Sequence, residues 1–452
     1  MFAKVLIANR GEIALRVART CRELGIRTVA VYSTVDADSA VVRFADEAVC
    51  IGPPAVKRSY LNIPAVIEAA LSTGADAIHP GYGFLSEDPD FAEVCEKNGI
   101  TFIGPPGDLM GPLGDKAEAR AIMARAGLPV LPGSDALATL GEAREAAERV
   151  GFPLIIKPVV GGGGRGMAVV DNPEDFTLAY QQARANAQAV FGDGRVYLER
   201  YVEAARHIEV QVLCDTYGNG VHLGERNCSV QRRHQKLLEE SPALGLPVEL
   251  TEQMCELSAQ AARSIGYVGA GTLEFLVDSG GEFYFMEINS RIQVEHPVTE
   301  MVTGIDLVRE QIRVAAGEPL RITQRDVQRR GVSIECRINA EDPARGFVPT
   351  PGPLHTLVLP GGPFTRVDTH GYQGWSVGPD YDSLLAKVVV WAPDRDQAVA
   401  RMSRALHETL VEGPGVRTTG PFLQEVLAHP RFLDAKYSVL LVEQMLARTE
   451  SA

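Results

Sequence analysis

The first 34 residues alternate between strand, helix and strand, and no other segment constrains the fold of this chain as strongly. VLIAN (5–9) and TVAVYST (28–34) are typical of buried strands, and EIALRVARTCRELG (12–25) has the spacing of an amphipathic helix that ends at Gly25. Two strands joined by a helix predict a parallel, doubly wound sheet. The turn after the first strand is NRGE, so the GxGxxG fingerprint of dinucleotide-binding domains is absent there.

The middle of the chain shows strand patterns that follow one another, which predicts an antiparallel α+β region. PLIIKPVV (153–160) and MAVVDN (167–172) flank a run of glycines and predict a hairpin. GTLEFLVDSGGEFYFMEIN (271–289) predicts a second hairpin that turns at DSGG. Further strands are predicted at 196–202, 207–215 and 220–230, helices at 174–190, 250–265 and 395–410, and a last, mixed region from VSIECRINAEDP (332–343) onward.

Composition limits the class of protein and its partners. The length of 452 residues suggests about three domains, and the net charge of −14 disfavours binding to nucleic acid. The chain has no apolar run of the ~20 residues that span a bilayer and no secretion signal at its start. The seven scattered cysteines form no CxxC pair, which predicts reduced thiols, a cytoplasmic protein and no structural zinc. Positive groups that bind an anionic ligand must be concentrated in a local cleft.

The hairpin at 271–289 carries candidate metal ligands. If DSGG is a four-residue loop, Val277 pairs with Glu282 and Glu287 becomes a diagonal neighbour of Glu274 on the same face. Asn289 shares that face by the period of two, and the same alternation continued through RIQVE (291–295) predicts that Val294 faces the core. Two carboxylates and an amide oxygen suit Mg²⁺ or Mn²⁺. An ordinary solvated strand face fits the pattern about as well, and a register slip of one residue would separate the two glutamates.

Two lysines and a glycine run are candidate phosphate ligands. Gly161 to Gly164 would let backbone N–H groups approach a phosphate, and Lys157 before them would add a positive charge. The segment is not a Walker A motif, because a hairpin encloses it and no GK[ST] follows. A flexible hairpin explains the glycines equally well. Lys116 in GDKAEAR also fits a solvated lysine at the start of a helix.

The segment CSVQRRHQK (228–236) concentrates positive charge in a chain that is otherwise acidic. It fits either an anion site or a solvated basic loop, and it lacks the aromatic residues that stack on nucleic-acid bases. Arg337 lies inside an apolar strand pattern, IECRIN, and a buried arginine is almost always paired or bound to a ligand.

Seven segments together resemble the biotin carboxylase family, the ATP-grasp subunits of biotin-dependent carboxylases. In order, they are ANRGEIALRV, HPGYGFLSE, GDK, GGGGRGM, CSVQRRHQK, EFYFMEINSRIQVEHPVTE and ECRINAEDP, and the resemblance covers residues 1–445. It implies an α/β and α+β multidomain fold with three parts. These are a Rossmann-like N-terminal domain (1–113), an ATP-grasp domain (114–330) with a mobile lid at about 131–203, and a mixed α+β C-terminal domain (331–446).

The resemblance also implies the site residues. ATP would be held by Lys116, Lys157, Gly163, Gly164, Glu199, Val202, His207, Gln231 and His234. Two Mg²⁺ or Mn²⁺ ions would be bound by Glu274, Glu287 and Asn289. Bicarbonate would be held by Lys236, Arg291, Gln293 and the backbone of Val294. Glu295 would be the general base, and biotin would contact Tyr82 and Arg337.

The implied reaction is the ATP-dependent carboxylation of biotin through carboxyphosphate. The sequence contains no MKM-type biotinyl-lysine segment, so biotin is expected on a separate carrier protein, and the further partners expected are carboxyltransferase subunits. The family implies a homodimer, with no nucleic acid or membrane as partner. Acetyl-CoA is the default final acceptor, and propionyl-CoA and pyruvate are alternatives. Another ATP-grasp ligase is the alternative activity, although RIQVEHP together with Arg337 favours bicarbonate and biotin.

The sequence departs from the family pattern at two places. Pro158, Val159 and Val160 stand where the family has small residues and one more glycine, which predicts a stiffer lid hinge. Asn227 stands where an aspartate is usual, which predicts that the basic cluster is held differently.

Overall fold

The structure is a computed structural model that describes residues 1–160 and 166–450. Its first part consists of β1 (Lys4–Ile7), α1 (Gly11–Glu23), β2 (Arg27–Ser33), α2 (Ala40–Phe44), β3 (Glu47–Gly52), α3 (Ile63–Thr73), β4 (Ala77–His79), α4 (Pro89–Lys97), β5 (Thr101–Phe102) and α5 (Gly107–Gly114). The five strands form a parallel sheet in the order β3-β2-β1-β4-β5. This order confirms the predicted doubly wound sheet. Helix α1 buries Ile13, Val17 and Cys21 against it, as the apolar spacing predicts.

The second part is a small unit with its own core. It follows α6 (Lys116–Arg125) and consists of α7 (Leu140–Val150), β6 (Leu154–Pro158), β7 (Ala168–Val170), α8 (Pro173–Phe191) and β8 (Val196–Arg200). The strands form an antiparallel sheet in the order β7-β6-β8, which confirms the hairpin predicted around the glycine run. Local signals fix the ends of α8, because Asn172 caps its first turn and Gly192 ends it in the left-handed conformation.

The third part begins with β9 (Arg206–Cys214), β10 (Gly220–Arg232), β11 (Gln235–Ser241), α9 (Val248–Ser264), β12 (Gly269–Val277), β13 (Phe283–Asn289), α10 (His296–Thr303), α11 (Leu307–Ala315) and β14 (Val332–Asn339). The chain then continues through β15 (Glu341–Asp342), β16 (Val348–Pro349), β17 (Gly352–Pro353), β18 (Thr356–Val358), β19 (Thr365–Thr369), β20 (Ser376–Val377) and β21 (Leu384–Ala392). It ends with α12 (Arg395–Glu408), β22 (Leu410–Glu412), α13 (Gly420–Ala428), α14 (Pro430–Leu433) and α15 (Leu441–Glu450).

One antiparallel sheet of eight strands joins the middle and the end of the chain, in the order β13-β12-β9-β10-β11-β14-β21-β19. Strand β11 pairs with β14, so the sheet continues across the predicted domain boundary at residue 330. Helices α12 and α13 cover its C-terminal half and bury Met402 and Leu423 against β14 and β21. Strands β9 to β14 of this sheet carry polar side chains that line a cavity.

The register of the β12–β13 hairpin differs from the prediction by one residue at the turn. Val277 pairs with Phe283, not with Glu282, and that slip alone would put Glu274 and Glu287 on opposite faces. A bulge at Met286 adds one residue to β13 and restores the face. As a result, Glu274 lies directly opposite Glu287, where the sequence predicted a diagonal pair.

Two further sequence predictions concern the chain as a whole. Within the described ranges, no helix is both long enough and apolar enough to cross a membrane. All seven cysteines lie in those ranges as free thiols, and six of them are buried.

Buried histidines make the stability of the fold depend on pH. Burial lowers the pKa of His79, on β4, to about 3, and its Nδ1 accepts a hydrogen bond from the N–H of Gly81 at 3.0 Å. The unfolded chain binds a proton on this histidine below pH ~6.5, whereas the folded chain does not until about pH 3. The stability that this neutral ring contributes is therefore present at pH 7 and decreases as the pH falls below ~6.5.

We expect the free energy of unfolding to be about 2 kcal/mol smaller at pH 5 than at pH 7 for this histidine alone. His79→Asn retains an acceptor for Gly81 and removes the titration. Urea unfolding of the variant should give a pH slope smaller by about one proton in this window. An unchanged slope would contradict the assignment of the effect to His79.

Candidate active site

A cavity of about 540 Å³ opens between the three-stranded sheet, the eight-stranded sheet and the loop after β4. Residues far apart in sequence meet in its wall, from Tyr82 of the first part to Val439, just before α15. The wall includes these residues that the sequence predicted: Tyr82, Lys116, Lys157, Val202, His207, Gln231, His234, Lys236, Glu274, Glu287, Asn289, Arg291, Gln293, Val294, Glu295 and Arg337. The structure therefore gathers nearly the whole predicted site into one cavity.

Three further predicted residues are not among these. Gly163 and Gly164 lie outside the described residues. Glu199 is not part of the cavity wall, because its carboxylate is buried behind it in an ion pair with Lys157. Its predicted contact with ATP stays a prediction. The ion pair holds the ammonium group of Lys157 at the end of β6, beside the cavity.

Two of the predicted metal ligands, Asn289 and Glu274, contact each other, and the third, Glu287, pairs with a lysine. The amide nitrogen of Asn289 donates to Glu274 Oε1 at 2.9 Å, and His207 Nε2 lies 2.9 Å from Glu274 Oε2. Lys116 Nζ lies 2.5 Å from Glu287 Oε2. Burial works to raise the pKa of Glu274, but Lys236 and His207 outweigh it and hold this pKa well below its usual range. The carboxylate of Glu274 is therefore ionised, as a ligand of a hard cation must be, and the donor set fits Mg²⁺ or Mn²⁺.

Lys236, on β11, is the centre of the charge arrangement. Its Nζ lies 2.5 Å from Glu209, 3.0 Å from Glu274 and 2.6 Å from Glu295. Burial alone would lower the pKa of Lys236, yet the three carboxylates raise it well above its usual value. The cavity wall therefore carries a permanent positive charge beside Glu295.

Glu295 is fully buried and lies between two cations. Lys236 contacts its Oε1, and Arg337 Nη2 donates to its Oε2 at 3.0 Å. Burial works to raise the pKa of Glu295, but Lys236, Arg337 and the neighbouring Arg226 hold it well below its usual range. An ionised carboxylate in a cavity can accept a proton from a ligand that displaces one of these contacts.

Arg337, on β14, bridges two carboxylates. Besides Glu295 it contacts Glu239, a fully buried residue of the neighbouring strand β11. Burial raises the pKa of Glu239 to about 7, against the opposing effect of Arg337. The pKa of Arg337 is itself raised by the two carboxylates, although burial opposes this. The guanidinium group is thus charged, and Glu239 fixes its orientation from the side that faces away from the cavity.

Arg291 is held by a residue of the first part of the structure. Its Nε lies 2.7 Å from Glu87 Oε2, and its Nη2 donates to Asn289 Oδ1 at 2.9 Å. Glu87 also accepts from the N–H of Ser290 at 2.8 Å. The loop after β4 therefore sets the direction in which Arg291 enters the cavity.

The segment that follows β13 is not the continuous strand-like alternation that the sequence predicted. The strand ends at Asn289, and residues 290–295 form turns before α10 begins. The alternation predicts that Val294 faces the core, yet Val294 lines the cavity beside Gln293 and Glu295. The turn therefore brings three consecutive residues to the cavity, which a strand cannot do.

The residues of the basic cluster are divided between the cavity wall and the solvent-exposed surface. Strands β10 and β11 meet in a tight turn, in which Arg233 and His234 adopt left-handed conformations with φ of 47° and 64°. Gln231, His234 and Lys236 line the cavity. Arg233 is exposed to solvent, and the guanidinium of Arg232 stacks on Phe347 at 4.7 Å.

The sequence reasoning missed the residues that orient the cavity wall. They are Glu87, Glu209 and Glu239, each in contact with a predicted residue, and Arg226, which pairs with Glu209. Glu87 ends the GFLSE segment that the resemblance rested on, so that motif was a usable signal. Glu209 alternates with apolar residues in HIEVQVLC, a pattern that a strand with one solvated face also gives. Arg226 and Glu239 stand beside other polar residues in GERNCS and LLEES, where the local sequence does not show that they are buried.

Asn227 is held in a way that an aspartate could not be. Its Nδ2 donates to the hydroxyl of Tyr437 at 2.9 Å, and its Oδ1 accepts from Ser229 at 2.7 Å. Tyr437 in turn donates to Glu240 at 2.5 Å. The amide thus ties β10 to the segment that carries Val439. At the other departure from the family pattern, residues 158–160, Pro158 ends β6 and Val159 is buried.

Comparison with known families gives three consecutive matches. Residues 1–110 match the N-terminal domain of biotin carboxylase, and residues 335–444 match its C-terminal domain. Residues 115–323 match the ATP binding domain of the carbamoyl-phosphate synthase L chain.

Similar proteins extend over nearly the whole chain. A biotin carboxylase of Nostoc sp. is 53% identical over 98% of this chain and 99% of its own length. Among solved structures, the biotin carboxylase domain dimer of Hydrogenobacter thermophilus 2-oxoglutarate carboxylase, in complex with MgADP, ADP and bicarbonate, is 49% identical. It superimposes with a TM-score of 0.95 over 98% of both chains. The solved biotin carboxylase subunit of pyruvate carboxylase is 48% identical and superimposes with a TM-score of 0.84, also over 98% of both chains.

Proposed function

The chain belongs to the biotin carboxylase family, and we propose that it uses ATP and bicarbonate to carboxylate biotin. The observation that carries this proposal is the position of Glu295, a fully buried carboxylate held ionised between Lys236 and Arg337 at the wall of the cavity. A base that is kept ionised beside two cations suits the deprotonation of a small anion, because the cations offset the negative charge that the step creates.

The first half of the proposed reaction takes place at the Lys236 end of the cavity. Bicarbonate is held by Lys236, Arg291, Gln293 and the backbone N–H of Val294, and Glu295 takes its proton. The resulting carbonate oxygen attacks the γ-phosphorus of ATP, the bond to the leaving ADP breaks, and carboxyphosphate forms. Arg291 contributes through its fixed direction, because Glu87 holds it from behind.

The ATP end of the cavity is proposed to be formed by the residues that the family resemblance implies. Nucleotide contacts are assigned to Lys116, Lys157, Gly163, Gly164, Glu199, Val202, His207, Gln231 and His234. Glu274, Glu287 and Asn289 would hold Mg²⁺ or Mn²⁺, which offsets charge on the transferring phosphoryl group. Lys116 contacts Glu287, which supports its place beside the phosphates.

The second half of the proposed reaction uses Tyr82 and Arg337. Carboxyphosphate releases CO₂ next to biotin, and the released phosphate takes the proton of the biotin ureido nitrogen. The nitrogen then forms a bond to CO₂. Arg337 stabilises the negative charge that develops on the ureido oxygen. Its contacts with Glu239 and Glu295 orient the guanidinium before the substrate arrives.

We also propose the organisation in which the enzyme works. The three domains are assigned to 1–113, 114–330 with a lid at about 131–203, and 331–446. A biotin carboxyl carrier protein presents biotin, a carboxyltransferase takes the carboxyl group, and two copies form a homodimer, as in the relative solved as a dimer. Free thiols at all seven cysteines support a reducing, cytoplasmic location. Acetyl-CoA is the proposed final acceptor, and the relatives from pyruvate and 2-oxoglutarate carboxylases make keto acids the alternative to test.

The function is tested by measuring ADP release by the purified full chain with Mg²⁺ and ATP. We expect release to require bicarbonate and to increase with free biotin. The control reaction uses the same buffer depleted of bicarbonate. ATP turnover that ignores both additions would contradict the proposal and favour another ATP-grasp ligase, whose turnover would instead depend on an amine acceptor.

A further inference from the structure

Lys387 is a fully buried lysine that no step of the proposed reaction uses. It lies in the middle of β21, and the exposed fraction of its side chain is 0%. A lysine is almost never fully buried unless its ammonium group is paired. Its partners therefore indicate why the fold retains a charge here.

The ammonium group of Lys387 contacts two different parts of the structure. Its Nζ donates to the backbone carbonyl of Val294 at 2.8 Å and lies 3.0 Å from Glu12 Oε1. Asp368 Oδ2, on the neighbouring strand β19, lies at 4.0 Å. One cation on β21 thus connects the turn before α10 with helix α1.

Each of the two contacts leads to one of the proposed substrate sites. Val294 lies between Gln293 and Glu295, and its own N–H is assigned to bicarbonate. A fixed carbonyl at Val294 limits rotation about this residue, and therefore limits the positions of the N–H and of the Glu295 side chain. Glu12 accepts a hydrogen bond from the hydroxyl of Tyr82, which is assigned to biotin.

A second side chain contacts the backbone of the turn next to Val294. His296 Nδ1 lies 2.7 Å from the carbonyl oxygen of Gln293, which fixes the residue before Val294. Within the described residues, the carbonyl of Val294 is observed to accept its side-chain hydrogen bond from Lys387. The contact is also sealed from water, because Lys387, Glu12 and Asp368 are all buried.

We propose that Lys387 is a positioning residue that fixes the bicarbonate turn through Val294 and, through Glu12, the tyrosine at the biotin site. This proposal rests on the proposed function and adds a residue that holds both substrate sites in one relative geometry. Lys387 does not contact the reacting atoms itself. Its loss should therefore affect the affinity for bicarbonate more than the affinity for ATP.

The test is Lys387→Met, which keeps the length of the side chain and removes the donor. We expect the KM for bicarbonate to increase about tenfold or more, because a hydrogen bond from a charged group is lost at the turn. The KM for ATP should stay within about twofold, because the observed partners of Lys387 are Val294, Glu12 and Asp368 and include none of the proposed ATP residues. A uniform loss of stability would not produce this split between two substrates.

Lys387→Met also leaves the carboxylate of Glu12 buried without its cation, which destabilises the fold. The double variant Lys387→Met/Glu12→Gln removes that charge and keeps an acceptor for Tyr82. We expect thermal unfolding of the double variant to return toward that of the wild type, while the KM for bicarbonate stays raised. If the single variant does not fold, the double variant carries the test.

Arg329→Met is the matched control, because Arg329 pairs with the buried carboxylate of Glu225 and neither residue lines the cavity. It should lower thermal stability and leave the KM for bicarbonate unchanged. A normal KM for bicarbonate in both Lys387 variants would overturn the proposal. Wild-type ADP release that does not depend on bicarbonate would instead overturn the proposed function, so the two failures are distinguishable.

Discussion

Replacement of Glu295 by glutamine should reduce bicarbonate-dependent ADP release by about 10²–10⁴-fold, the usual contribution of a positioned general base. Glutamine has nearly the same shape, and its amide oxygen can still accept a hydrogen bond from one of the two cations, Lys236 or Arg337, while its NH2 group faces the other. It cannot take the proton of bicarbonate. The substitution therefore removes the chemical step and retains the shape of the side chain and one of its two cation contacts.

ATP binding distinguishes loss of the base from loss of the site. The proposed nucleotide residues are held by other partners, for example Lys157 by Glu199 and Lys116 by Glu287. We therefore expect the affinity of Glu295→Gln for ATP, measured by calorimetry, to stay within about threefold of the wild type. Near-normal turnover of the variant would remove Glu295 as the base, whatever its affinity for ATP.

The fold was largely predictable because its elements follow simple periodicities. The parallel sheet of the first part followed from two apolar strands and one amphipathic helix, and the β6–β7 hairpin from two strands around a glycine run. The eight-stranded sheet was not predictable in the same way. Its β11–β14 pairing joins residues about a hundred positions apart, and no turn between them specifies it.

In the β12–β13 hairpin, the turn sequence alone is not sufficient to predict the pairing of the two strands. The sequence DSGG predicts the loop, but it does not predict the bulge at Met286 that returns Glu287 to the face of Glu274. The N–H of Phe285, beside the bulge, donates to the carbonyl of Pro129 at 2.7 Å. The local shape of β13 therefore depends on a segment about 150 residues earlier in the chain, which the hairpin sequence does not contain.

The charged partners of the site were hidden for a related reason. Glu209 contacts Lys236 across two strands, and Glu239 contacts Arg337 across one. Glu209 is one polar residue within an alternating strand, which is also the pattern of a strand that faces water, and Glu239 stands beside a second glutamate in LLEES. Only the sheet order shows that these faces are buried and that each carboxylate has a cation beside it.

The second large effect is expected for Arg337→Met, which should reduce biotin-stimulated ADP release by about 10²–10³-fold. The slower release that occurs with bicarbonate alone should be retained to a much greater extent, because Glu295 keeps its contact with Lys236. The reason for the difference is that Arg337 is proposed to act on the charge that develops on biotin, after the base has already acted.

The variant Glu239→Gln distinguishes the contribution of the charge of Arg337 from the contribution of its orientation. Glu239 holds the guanidinium from behind and does not line the cavity, so the variant keeps the cation and loosens its orientation. We expect a smaller reduction of the biotin-stimulated rate in this variant, of about tenfold, with the bicarbonate-only rate unchanged. Equal losses of both rates in Arg337→Met would place the arginine in the bicarbonate step instead. Its contact with Glu295 would then be its main role, because the same guanidinium faces both the base and the open cavity.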